Sequence, residues 1–183
     1  MKNRKIIFII VVLLLLLTLP LYVKNLYYLH IINLAGIYTL IAIGLNILSG
    51  YTGQTSIGQA GFFAIGTYVS ALLMMTFDIS FFLAVIAGTL VAGIFGLIIS
   101  IPAMKLDGPY LVLATVGFGE IVRLVLLNWT PVTRGAAGLT GIPYPSLFGL
   151  NIKSEQEFFY LILAFVALGV YVATRIANSK IGR

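Results

Sequence analysis

The chain has 183 residues, of which 61% are hydrophobic and only 9% charged. A soluble domain carries about a quarter charged residues, so this balance excludes an ordinary water-soluble fold and points to an integral membrane protein. With no cysteine and the single histidine His30 there are no disulfides, no thiolate chemistry and no multi-histidine metal centre, and the net charge of +6 reports sidedness before nucleic acid.

Six apolar segments are long enough to cross a bilayer, which takes about 20 helical residues. They run Ile6–Val23, Leu29–Leu48, Ile57–Phe77, Ser80–Ile101, Pro109–Asn128 and Phe158–Ile176. The expected fold is therefore all-α, a polytopic transmembrane helix bundle. Lys2, Arg4 and Lys5 precede the first segment as they would in a signal peptide. No small-x-small cleavage site follows, only Leu19-Pro-Leu-Tyr-Val-Lys24, so the segment reads as a retained anchor helix. His30 opens the second span at an interface, where a lone histidine is structural.

Between the second and third spans lies the stretch Gly50–Gly66, with five glycines, two glutamines and the hydroxyls of Thr52, Thr55 and Ser56. Each interior glycine weakens a helix by about 1 kcal/mol relative to alanine, so a straight continuous helix is not expected here. Gly50, Gly53, Gly58 and Gly61 mark the break. Non-helical backbone at membrane depth must be buried in protein or line a watery cavity, and broken helices of this kind serve as substrate sites in transporters. A polar turn followed by a glycine-tolerant helix is the plainer alternative. Residues 29–77 read either as two spans or as one broken element.

The fourth span places Ala84, Gly88, Ala92, Gly96 and Ser100 four residues apart, a small-residue ridge on which a second helix can pack closely. That ridge implies a helix bundle and no mechanism. Lys105-Leu-Asp-Gly-Pro109 is a tight turn, with Pro109 suited to open the fifth span. Inside that span Glu120 lies about 16 Å from Pro109 and Arg123 follows on the same face, so the two can pair near mid-membrane. An ionisable residue at that depth should face the bundle interior or a wet cavity. A neutralised pair that fixes packing is the competing reading, and an acid held ionised by Arg shuttles protons poorly. Gly117 and Gly119 allow a close neighbour or a kink. The long outer segment Trp129–Glu157 would bind a partner or pack as a cap.

With the N-terminus inside, Lys2, Arg4, Lys5, Lys105, Arg175, Lys180 and Arg183 fall on the cytoplasmic side, seven against the three outer residues Lys24, Arg134 and Lys153. The positive-inside rule then sets both the N-terminus and Arg183 in the cytoplasm, with Tyr22, Tyr27, Tyr28 and Trp129 at the outer interface. No G-x-x-x-x-G-K-[ST] phosphate loop, catalytic triad, carboxylate pair or metal-ligand cluster can be assembled. The chain is read as a non-enzyme without cofactor or metal.

Three stretches resemble a known family, the permease subunits of branched-chain amino acid ABC importers of the LivM type. They are GLNILSGYTGQTSIGQAGFFAIGTY (Gly44–Tyr68), LDGPYLVLATVGFGEIVRLVLLNW (Leu106–Trp129) and GLTGIP (Gly138–Pro143), with NSKIGR (Asn178–Arg183) closing the chain. Gln59 stands where the family often has His, and Arg134-Gly-Ala-Ala-Gly138 replaces its usual Gly-Gly-x-x-Gly. Family members continue well beyond the equivalent of Arg183, so the resemblance implies that residues 1–183 are the N-terminal part of a longer permease domain. It further implies a membrane-bound permease that forms a path with a second homologous permease. Two cytoplasmic ATPases would hold the ATP, and an external binding protein would deliver substrate. Gln54, Thr55, Ser56 and Gln59 would line that path, and Glu120 with Arg123 would set the packing of the neighbouring helix. Urea or short amides are alternative substrates within the family. A proton-coupled secondary transporter using Glu120 is the alternative outside it.

Overall fold

The computed structural model describes residues 15–23, 25–51, 53, 56–106, 108–147 and 150–178. Over these the chain is all-α apart from one hairpin of two-residue strands. Helix α1 covers residues 15–22. Then come α2 (Leu26–Asn46) with a π-helical turn (Ile47–Tyr51), α3 (Gln59–Phe77), α4 (Phe81–Ala103), α5 (Pro109–Asn128), the short α6 (Thr130–Thr133) and α7 (Glu155–Ala177). Between α6 and α7 lie a 3-10 turn (Gly135–Ala137) and the antiparallel strands β1 (Ser146–Leu147) and β2 (Leu150–Asn151). Helices α2, α3, α4, α5 and α7 are long and apolar enough to cross a membrane. The first expected span, 6–23, lies outside the described residues up to residue 14.

Local chemistry sets the helix ends. The Asn25 side chain caps α2 by accepting the Tyr27 N–H at 3.0 Å. At α7, Ser154 Oγ accepts the Glu157 N–H while Glu157 Oε2 accepts the Ser154 N–H, a reciprocal capping box. Pro109 opens α5 directly after Gly108, whose φ of +47° only glycine adopts freely.

Helix α3 is the hub. Against α4 it packs antiparallel, with Gly66 beside Gly88 and Ala92, and with Ser70 donating to the Ala84 carbonyl at 3.0 Å. Gly96 faces Phe62, so Ala84, Gly88, Ala92 and Gly96 lie along the side of α4 that meets α3; Ser100 bonds the Leu97 carbonyl of its own helix. Against α5 it packs parallel, through Gly58 on Thr115 and Gly61 on Phe118 and Gly119. A second parallel pair joins α2 to α7, where Gly36 meets Ile162 and Gly169 meets Leu40 and Ile43. At every one of these crossings a glycine or alanine lets backbones come close, which is how helices gain packing energy without a hydrophobic drive in lipid. The outer surface is apolar: on α4, Leu83, Leu90 and Leu97 are 61%, 64% and 70% exposed along one face. Such a face suits hydrocarbon and not water, so the chain is a multi-pass membrane protein.

The segment just after α5 is folded, not slack. Thr133 is buried and its hydroxyl donates toward the Leu126 and Trp129 carbonyls while accepting the Gly135 N–H at 3.3 Å.

Candidate functional site

The break between α2 and α3 is narrower than Gly50–Gly66. Gly50 lies in the π-helical turn, Gly53 (φ +68°) and Gly58 lie outside any helix, and α3 has begun by Gln59. Gly61 is therefore helical and does not belong to the break. A Cβ there would come within 2.8 Å of the Phe118 ring, so this glycine serves close packing. The two helices are separate elements, and residues 53 and 56–58 between them lie outside any helix. Gln54 and Thr55 lie outside the described residues.

Three contacts hold this backbone inside the bundle. The Ile57 N–H donates to Thr115 Oγ1 at 3.2 Å, and Thr115 in turn donates to the Val112 carbonyl at 3.0 Å. Gly58 lies against Thr115, where an added Cβ would stand 3.1 Å from the Thr115 carbonyl oxygen. Gln59 reaches across to α2, its Nε2 within 2.5 Å of where a Gly44 Cβ would be. Thr115 is six residues into α5, so the irregular segment sits about 9 Å along that helix from Pro109. Ser56 and Gly58 are both buried. The π-helical turn just before this segment widens the end of α2, a distortion frequent at functional sites.

Gln59 also opens onto a cavity of about 590 Å³ between α2, α3, α4 and α7, walled by residues such as Ile37, Phe62, Phe63, Val85 and Phe165. Its hydroxyls bond helix carbonyls: Thr67 donates to Phe63, Ser70 to Gly66 and across to Ala84, and Thr89 to Val85. Gln59 adds a side-chain amide to the wall. The structure sets Ile57 and Gly58 against Thr115, with buried Ser56 just before them and Gln59 just after, whereas Gly53 is exposed and meets nothing; no local pattern singles out Thr115.

Glu120 and Arg123 form a two-point ion pair, with Nε to Oε2 at 2.8 Å and Nη2 to Oε1. The pair does not face the interior of this chain. Its side chains are 50% and 58% exposed on the side of α5 away from α3, because no described helix covers that side. Neither residue lines the cavity.

A third polar cluster lies at the N-terminal ends of α2 and α7. Buried Asn33 donates to the Glu155 carboxylate at 2.7 Å and to the Glu155 carbonyl at 3.0 Å, and His30 Nδ1 lies 3.2 Å from Glu155 Oε1. His30 is thus part of a tie between helices, 125 residues apart in sequence. No group of three or more His, Cys, Asp or Glu suited to a metal occurs among the described residues.

Comparison with known proteins assigns this architecture. Residues 27–183 match the family described as the permease component of branched-chain amino acid transport systems. The chain is 35% identical over 170 residues to the high-affinity branched-chain amino acid transport system permease protein LivM of Salmonella typhimurium strain LT2, covering 80% of this chain and 40% of that protein. It is 35% identical over 176 residues to the protein of the same name from Escherichia coli K12, covering 84% and 41%. The chain thus spans about two fifths of the length of the curated relatives it matches. No solved structure matches it. The chain belongs to the permease-component family of branched-chain amino acid transport systems.

Proposed function

We propose that the chain is part of the membrane-spanning permease of an ABC importer for branched-chain amino acids. It forms the path with a second homologous permease, two cytoplasmic ATPases drive it, and an external binding protein delivers substrate. Its N-terminus and Arg183 face the cytoplasm. The relatives named above support the substrate class. The observation that carries the reading is the irregular backbone at 56–58, pinned to Thr115 and opening through Gln59 onto an apolar cavity. Gln54, Thr55, Ser56 and Gln59 then shape the route, with the non-helical backbone at 56–58 toward the polar end of the solute and aromatic walls for its side chain. An apolar wall favours a branched side chain over urea or a short amide. The Glu120–Arg123 pair, turned away from the cavity, gives no support to a proton-coupled route.

The test is leucine uptake by the full-length protein assembled with its permease, ATPase and binding-protein partners. Gln59→Leu and Gln54→Leu should each lower uptake about tenfold, the worth of roughly one hydrogen bond, with membrane insertion intact. Unchanged uptake in both variants would sink the assignment of the route.

A further inference from the structure

The cavity between α2, α3, α4 and α7 takes one residue of its wall from outside the helices, Ile142 in the segment between α5 and α7. The same segment carries the Gly138–Pro143 stretch, to which the route through Gln59 assigns no part. Its entry point follows from the bonds on either side. The Pro145 carbonyl accepts the Ile152 N–H at 2.8 Å, and Ile152 stands three residues before the start of α7 at Glu155. Ile142 precedes Pro145 by three residues, so it lies within about 11 Å of it. It therefore enters the cavity from the N-terminal end of α7, where Phe158 of the first turn also lines the wall.

The segment is lightly held. Among the described residues, 139–144 make no backbone hydrogen bond. One side-chain bond ties them back, from Arg134 Nη1 to Thr140 Oγ1 at 3.0 Å. Gly138 and Gly141 take φ of +68° and +78°, and a Cβ on either would meet nothing within 4 Å, so they supply backbone freedom and not close packing. A fixed wall residue would be buried and anchored by its own backbone bonds, whereas Ile142 is 47% exposed and has neither support. Few backbone bonds and high exposure put a segment at the low-stability end of a fold, from which moving lids are drawn.

We propose that residues 138–143 form a lid over this end of the cavity, with Ile142 as its stopper and the Arg134–Thr140 bond as its latch. The proposal rests on the permease reading, whose sidedness turns the N-terminal end of α7 outward. It adds the residue that a branched-chain amino acid displaces on entering from outside.

The test places a reporter thiol below the lid. Thr67→Cys lies on the cavity wall midway along α3. The full-length protein in intact cells is treated from outside with a small, charged, membrane-impermeant thiosulfonate. Rates are compared at equal amounts of inserted chain and read against the same protein without the reporter. Ile142→Ala should speed modification of the reporter about tenfold, equivalent to roughly 1.4 kcal/mol taken from the closed lid. Thr140→Val removes the latch but keeps the stopper, and should speed it about threefold. Tyr144→Ala alters an exposed neighbour that does not line the cavity, and should leave the rate unchanged. A rate that Ile142→Ala does not alter overturns the lid, as does equal acceleration by Tyr144→Ala. Labelling needs neither leucine nor ATP, so its outcome is separate from transport. Leucine import by the unaltered assembly, with no response of the reporter to Ile142→Ala, sinks the lid and leaves the permease reading. The expected response in an assembly that imports no leucine keeps the lid and sinks that reading.

Discussion

The Ile57 N–H donates to the hydroxyl of Thr115 at 3.2 Å, across 58 residues of sequence. This bond ties the irregular backbone before α3 to the second turn of α5 and pairs a donor that lies inside a membrane protein. Unpaired, such a group costs about 1–3 kcal/mol. Thr115→Val keeps the shape and removes the acceptor. It should destabilise the folded protein by about 1–2 kcal/mol and speed amide exchange at Ile57 by about tenfold or more. Denaturant titration in detergent and hydrogen exchange of the same sample check both.

The α3–α4 crossing depends on a missing methyl group. A Cβ at Gly88 would lie 2.5 Å from the Gly66 carbonyl oxygen and collide with the Ser70 hydroxyl. Gly88→Ala should cost about 1–3 kcal/mol through overpacking. Gly93→Ala, one turn on and in open space, should be neutral or stabilising by up to about 1 kcal/mol through helix propensity. Parallel unfolding curves separate a packed ridge from a merely small-residue helix.

Much of this fold could be read from the sequence, and the exceptions have physical causes. Pro109 and the run to Asn128 fix α5 because proline at the first turn and an apolar run are both local signals. The sequence-based span began at Phe158, whereas α7 begins at Glu155; Ser154-x-x-Glu157 is a local capping signal that an apolar count passes over. The tie between Asn33, His30 and Glu155 was not legible, because it joins residues more than 120 apart through the packing of α2 on α7. Thr115 was hidden for the same reason. The break near Gly50–Gly58 was legible as glycine content, but its end at Gln59 depends on Gly61 docking against Phe118. The outward aim of Glu120 depends on which side of α5 meets α3, which no count along one helix supplies.

Asn33 is buried and gives two bonds to Glu155. Asn33→Leu removes both, and the Glu155 carboxylate is left with His30 alone among its side-chain partners described here. The N-terminal ends of α2 and α7 should loosen, with about 1–3 kcal/mol lost. Unfolding in detergent measures the loss. Proteolysis in the segment before α7 should rise with it.

Sidedness can be tested because the chain has no native cysteine. Asp78→Cys, between α3 and α4, should react with a membrane-impermeant maleimide added outside intact cells. Lys105→Cys, between α4 and α5, should react only after the membrane is opened. The reverse pattern contradicts the inward placement of both termini.

The central claim is that Gln59, at the edge of the helix break, lies on the solute's route. The most direct measurement is the reactivity of Gln59→Cys toward a small charged thiosulfonate in the full-length protein assembled with its partners, read against the same assembly without the substitution. Modification by this water-borne reagent is expected, at a rate that changes when leucine and ATP are supplied. A Gln59→Cys thiol that stays unreactive in every state, while the assembly still imports leucine, would contradict it.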